Sequence, residues 1–186
     1  SDRTYVNGKL IAHSGDFNSP LPQAYDKLRL YRVPEGILKP GKNLILIQCK
    51  SYFQDEAGIQ KDRTAIGPSD VLFKDFYIYN FREAGLLVLY FTAGSYFLFL
   101  FVRRRREREN LLFGLFTWDL VIYQFLRTQF KNVLEWDFLF WKKMEYAALF
   151  LLIPLFYYFV RTYFSLPRNR FTRIWDGVAA VIAALQ

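Results

Sequence analysis

The spacing of apolar positions changes sharply near residue 84. Before that point, short apolar runs alternate with turn residues. Tyr5-Val6 and Leu10-Ile11-Ala12 flank Asn7-Gly8. This predicts a two-residue hairpin turn, whose two central positions need the positive φ that Asn and Gly tolerate. A polar loop follows at residues 14–20, and residues 28–33 predict a short strand ended by Pro34-Glu35-Gly36. Leu38-Lys39-Pro40-Gly41-Lys42-Asn43 predicts a second turn. Residues 44–49 are apolar at successive positions, as in a central strand covered on both faces. A loop at residues 55–68 leads to a last predicted strand at residues 71–79. Short strands between turns predict a β-sandwich, and so few of them predict only part of one.

Residues 84–102 carry no charge. At 1.5 Å per residue they match a hydrocarbon core of about 30 Å. Arg103-Arg104-Arg105-Arg106-Glu107-Arg108 follows directly. An apolar run ending in arginines predicts a membrane span with its C-terminal end in the cytoplasm. The rival, a buried helix of a soluble protein, would show a polar face. Residues 111–126 predict a second span, and residues 127–143 an outer loop whose Trp136, Phe138, Phe140 and Trp141 suit the headgroup level. Residues 146–160 predict a third span, kinked at Pro154. Arg161, Arg168, Arg170 and Arg173 form a second basic loop before a fourth span begins at residue 174. The expected fold is thus a partial β-sandwich over residues 1–82, followed by an α-helical transmembrane bundle over residues 83–186.

Composition fits this division only by halves. The chain is 53% hydrophobic and 20% aromatic, yet its mean hydropathy is near zero, because a polar first part joins an apolar second part. A net charge of +8 invites a nucleic-acid reading. Much of the arginine lies beside the apolar runs, however, so it reads as orientation signal and lipid-headgroup contact. The expected partners are the lipid bilayer and not nucleic acid. Cys49 is the only cysteine and His13 the only histidine. No intrachain disulfide, histidine-cluster metal site or Ser-His-Asp triad follows from such a composition, and no cofactor is expected. The chain opens without Met and stops within an apolar run, so it reads as a fragment of a longer protein.

Candidate chemistry is sparse. Asp55-Glu56 is an adjacent acidic pair, poorly placed to flank a glycosidic bond from two sides, and reads as solvated loop charge. Tyr52, Phe53, Gln54 and Arg63 are candidates to line a sugar or peptide site at the sandwich edge, though aromatics are also ordinary core material. His13 reads as a surface residue and Cys49 as a small buried hydrophobe. Asp119 lies near mid-depth of the second span, where an ionised carboxylate is costly. Asp119, Tyr123 and Arg127 recur every four residues and share a helix face. Thr92, Ser95 and Tyr96 sit at similar depth in the first span, beside the small Ala93 and Gly94. Arg127 and Glu145 fall near the outer boundary, within range of pairing. This set reads either as structural interhelical hydrogen bonding or as a transmembrane coupling site.

Two resemblances add to this. Tyr5-Val6-Asn7-Gly8-Lys9, Tyr31-Arg32-Val33-Pro34 with Leu38-Lys39-Pro40-Gly41-Lys42-Asn43-Leu44-Ile45, and Gly58-Ile59 with Gly67-Pro68 resemble the C-terminal half of a galactose-binding-like jelly roll. That likeness implies an extracytoplasmic scaffold and, as ligand, a carbohydrate or other small molecule. From residue 84 on, the basic turn, Leu112-Phe113-Gly114-Leu115-Phe116, Tyr123-Gln124-Phe125-Leu126-Arg127, Trp141-Lys142-Lys143-Met144-Glu145-Tyr146 and Ile153-Pro154-Leu155-Phe156 resemble the bacterial seven-transmembrane receptors with diverse intracellular signalling modules.

The second resemblance implies a multi-pass protein of the bacterial inner membrane, with residues 1–82 outside. A homodimer is a candidate assembly. A serine phosphatase, nucleotide cyclase or histidine kinase is then expected beyond residue 186, while the stretch in hand is not itself an enzyme. The first rival is a membrane-anchored carbohydrate enzyme with an accessory jelly roll. The second is a transporter, which needs several polar residues at midplane, where only Asp119 stands.

Overall fold

The computed structural model describes residues 1–20, 26–51, 64–134, 136–166 and 177. Asp55-Glu56, the Tyr52–Arg63 candidates and the fourth predicted span, apart from Gly177, lie outside them. The chain divides into two compact units, Ser1–Tyr79 with Glu135–Leu139 and Asn80–Leu134 with Phe140–Gln186.

The first unit holds a three-stranded antiparallel sheet in the order β2-β1-β3, built from β1 (Asp2–Val6), β2 (Lys9–Ser14) and β3 (Ile45–Cys49). The hairpin between β1 and β2 turns at Asn7 (φ 50°) and Gly8 (φ 82°). Both central residues are left-handed, as a turn matching the strand twist requires. The Asn7 side chain also ties the hairpin to the next segment. Its Nδ2 donates to the Ile37 carbonyl at 2.9 Å and to Asn43 Oδ1 at 2.7 Å, and its Oδ1 accepts from the Leu44 amide at 3.0 Å. Asn43 in turn closes the 38–43 turn, accepting from the Lys39 amide and donating to the Lys39 carbonyl, both at 2.8 Å. The pattern thus sets two turns through one pair of asparagines.

Four expectations for this unit are corrected. β3 lies at an edge of the sheet and is mostly exposed, with β1 in the centre. Cys49 is accordingly exposed rather than buried. Residues 28–33 form no strand and are held by side chains instead. Arg29 Nε donates to Asp2 Oδ1 at 2.7 Å, Tyr31 Oη donates to Asp2 Oδ2 at 3.0 Å, and the Ser14 and Tyr31 hydroxyls share a hydrogen bond of 2.6 Å. Burial pushes the Tyr31 phenol above its usual pKa. His13 is exposed, as expected. The architecture described is a small antiparallel sheet; a second layer making it a sandwich is not among the described residues.

The fourth correction is the largest. Residues 71–79 are not a strand but the start of α1, a 35-residue helix over Ser69–Arg103. Their aromatic and β-branched content suggested a strand. The less exposed positions, however, are Leu72, Phe73, Phe76, Tyr79, Asn80 and Glu83, a three-to-four spacing that only a helix produces. Pro68 precedes the helix and Asp70 lies in its first turn, where a carboxylate suits the positive end of the helix dipole. At about 1.5 Å per residue, α1 is roughly 50 Å long, well beyond a hydrocarbon core of about 30 Å.

The second unit holds most of α1 with α2 (Arg108–Arg127) and most of α3 (Phe138–Tyr163). Among the described residues, α1 and α3 are the helices long and apolar enough to cross a membrane. α2 covers the predicted second span but carries Thr117, Asp119 and Gln124 within it. A 3₁₀ segment over Gln129–Leu134 follows α2.

Candidate functional site

α2 is flanked by the other two helices, and aromatic pairs set the register. Phe113 lies 4.5 Å from Phe97 of α1 and 4.9 Å from Phe159 of α3, centroid to centroid. Trp118 lies 4.9 Å from Phe91, and Phe116 lies 5.4 Å from Phe156. As numbers rise along α2 they fall along α1 and α3, so α2 runs antiparallel to both. These tilted and edge-on geometries are the favoured ones for ring pairs.

Between α1 and α2 the backbones come close at two glycines. A Cβ on Gly94 would meet Trp118 Cδ1 at 2.7 Å and the Gly114 carbonyl oxygen at 3.4 Å. A Cβ on Gly114 would meet Leu98 Cδ2 at 2.7 Å and the Leu98 amide nitrogen at 3.1 Å. In a lipid environment apolar burial gives little drive for helices to associate, so close approach at small residues carries more of the packing.

Polar groups punctuate the same contact. Gln124 Nε2 donates to Glu83 Oε2, tying the start of the apolar stretch of α1 to the last turns of α2. Asp119 is 5% exposed and Thr117 4%. Thr117 Oγ1 donates to the Phe113 carbonyl of its own helix at 2.8 Å. Asp119 Oδ2 and Trp118 Nε1 are buried with no hydrogen-bond partner among the described residues. At the far end of α2, the Thr128 hydroxyl donates to the Phe125 carbonyl at 2.8 Å and Lys131 Nζ to the Leu126 carbonyl at 2.7 Å. Both side chains are 2% exposed. They satisfy carbonyls that the helix end leaves open, and the lysine adds a cation at the negative end of the dipole.

The predicted coupling residues are brought together only in part. Arg127 Nη1 donates to Tyr123 Oη at 3.0 Å, with the guanidinium 5.6 Å from the tyrosine ring centroid. Glu145 accepts from Lys142 at 2.7 Å, one turn away on α3. Thr92 is exposed, and its hydroxyl donates to the Val88 carbonyl of its own helix at 2.7 Å. Ser95 is half-buried, with no side-chain hydrogen bond among the described residues, and Tyr96 is exposed. Neither Thr92 nor Ser95 bonds to Asp119. Tyr52, Phe53, Gln54 and Arg63 lie outside the described residues.

Sequence reasoning missed Glu83–Gln124, Gly114 and Lys131. Gly114 and Lys131 had readable signals: a glycine inside a helical pattern, and a lysine just past a helix end. The Glu83–Gln124 pair had none, because it depends on the register between two helices. Among the described residues, no group of three His, Cys, Asp or Glu is placed to hold a metal ion.

Comparison with curated proteins and with solved structures gives no match. A family model described as 7TM diverse intracellular signalling matches residues 80–186, more than half of the chain. The matched stretch begins at Asn80, where the second unit begins, and takes in α1 from Asn80 onward, all of α3 and the glycine contact between α1 and α2. This is a membrane protein, and the chain belongs to the seven-transmembrane receptors with diverse intracellular signalling.

Proposed function

We propose that this chain relays an extracytoplasmic ligand signal across the bacterial inner membrane to a cytoplasmic effector encoded beyond residue 186. The observation that carries this reading is the continuity of α1. Its first turns, Ser69 to Tyr79, belong to the sheet-bearing unit, and its remainder belongs to the helical unit. Within the first unit Arg32 reaches those turns, with Nη2 donating to Ser69 Oγ at 3.4 Å and the guanidinium 5.9 Å from the Phe73 ring centroid. A displacement at the start of a continuous helix is carried along its axis, because each backbone hydrogen bond joins one turn to the next. No Gly/Ser linker interrupts the path to absorb it. The ligand is a carbohydrate or other small molecule held by the outer domain, and the effector is a serine phosphatase, a cyclase or a kinase.

The test breaks the helix at a position whose side chain carries little packing. Phe81 is 75% exposed, so Phe81→Pro alters mainly the backbone: it removes one hydrogen bond and kinks or breaks the helix. In the full-length receptor, Phe81→Pro is expected to insert normally and to lose ligand-dependent effector output, while Phe81→Ala retains it. A proline variant with wild-type ligand response sinks the relay reading.

A further inference from the structure

The turn between α1 and α2 concentrates cationic charge beside an apolar band. Arg103, Arg104, Arg105, Arg106 and Arg108 are all exposed, and just before them Phe99 and Val102 are 58% and 62% exposed. The turn is not a loose tail. The Arg104 amide donates to the Leu100 carbonyl at 2.8 Å, the Glu107 amide to the Arg104 carbonyl at 3.0 Å, and the Arg108 amide to the Arg106 carbonyl at 3.1 Å. Both oxygens of Glu107 are taken, one by Arg104 at 3.3 Å and the other by Asn110 at 2.8 Å. Arg103 lies along α1, 5.9 Å from the Phe99 ring centroid. Arg105 and Arg106 have no side-chain partner among the described residues. Two guanidinium groups with no side-chain partner among the described residues therefore stand on a fixed turn, next to exposed apolar side chains at the end of a membrane-length helix.

We propose that this turn is a binding site for the phosphate headgroup of an anionic phospholipid, with Arg105 and Arg106 as its principal donors. The guanidinium fork suits phosphate oxygens bidentately. Phe99 and Val102 then lie against the acyl chains of the same lipid. A free phosphate ion uses the arginines alone and has no use for the apolar band, which is why a lipid is the better fit. The site rests on charge and exposure and does not depend on the signalling role above.

The experiment uses the whole chain in nanodiscs of phosphatidylcholine doped with phosphatidylglycerol, with retained lipid counted by native mass spectrometry. Wild type is expected to retain phosphatidylglycerol preferentially, and to lose that preference at high salt. In R105Q/R106Q the preference should fall by about fivefold for each arginine removed. Lys143→Gln, an exposed cation near the start of α3, should leave it unchanged. Circular dichroism checks that R105Q/R106Q keeps its helices, and the salt series needs no variant. Equal retention of both lipids by wild type, or an undiminished preference in R105Q/R106Q, overturns the proposal. So does displacement of phosphatidylglycerol by millimolar inorganic phosphate, which identifies the ligand as the free ion.

Discussion

Gly114 of α2 packs against Leu98 of α1 so closely that a Cβ would lie 3.1 Å from the Leu98 amide nitrogen. Two effects oppose each other when Gly114 becomes alanine. Helix propensity favours the alanine by about 1 kcal/mol, and overpacking opposes it by about 1–3 kcal/mol. The Leu98 side chain can rotate away, but its backbone nitrogen moves only with the helix. Gly114→Ala should therefore destabilise the α1–α2 contact. Gly85→Ala is the control, since its Cβ meets nothing within 4 Å, and it should be neutral or slightly stabilising. Denaturation of the chain from detergent micelles separates the two, and a Gly114→Ala protein more stable than wild type would rule out the close contact.

Glu83 and Gln124 should behave as an energetically coupled pair. The bond joins a carboxylate to an amide at the start of the apolar stretch, partly shielded from water. Hydrogen bonds to charged groups contribute about 1.5–3 kcal/mol in soluble proteins, while interhelical bonds in membranes average nearer 0.6 kcal/mol. A double-mutant cycle over Glu83→Ala and Gln124→Ala is expected to give a coupling of about 0.5–1.5 kcal/mol. Strict additivity would mean that the two side chains do not meet in the native protein.

Gly8 tests the outer sheet. Its φ is +82° and a Cβ there would meet nothing within 4 Å, so any loss on substitution is backbone strain and not a clash. Gly8→Val should cost about 1–3 kcal/mol, while Gly8→Asn, which tolerates the left-handed region, should cost much less. Hydrogen exchange at the β1 and β2 amides of the whole chain reads this directly. Equal protection in Gly8→Val and wild type would argue against the turn.

The Asn7-Gly8 hairpin was legible in the sequence because its geometry is decided within four residues. The first and third spans, within α1 and α3, were legible for a similar reason: hydrocarbon thickness acts on each segment independently of its neighbours. Residues 71–79 misled because aromatic and β-branched side chains favour strands, yet the adjoining apolar helix extends backwards through them. Extending a formed helix adds one hydrogen bond per residue without a new nucleation penalty. That Thr92 and Ser95 do not bond to Asp119 was not legible, because such contacts depend on helix register. Thr92 sits at a suitable depth, but its hydroxyl bonds to Val88 of its own helix, a local option open to any helical threonine. Cys49 was misjudged because apolar composition alone does not distinguish a central strand from an edge one.

Asp119 offers the sharpest separation of stability from function. Its side chain is buried and Oδ2 has no partner among the described residues, so the carboxyl group bears a desolvation penalty that no hydrogen bond to that oxygen offsets. Removing an unsatisfied buried group is typically neutral or favourable, by about 1–3 kcal/mol. A residue present only for packing would then be improved by Asp119→Leu, with signalling unchanged. If the unsatisfied carboxyl group is instead a contact made in one signalling state and absent in the other, its removal biases the balance between states. Under the proposed relay, Asp119→Leu in the full-length receptor should insert normally, unfold no more readily than wild type, and shift basal or ligand-dependent effector output. Asp119→Asn keeps hydrogen-bonding capacity without charge and should shift it less. The measurement is effector activity in membranes at matched expression, with and without ligand, beside a denaturation curve for each variant. A leucine variant that is as stable as wild type and signals identically removes Asp119 from the coupling path and leaves α1, with its Glu83 and glycine contacts to α2, as the remaining route.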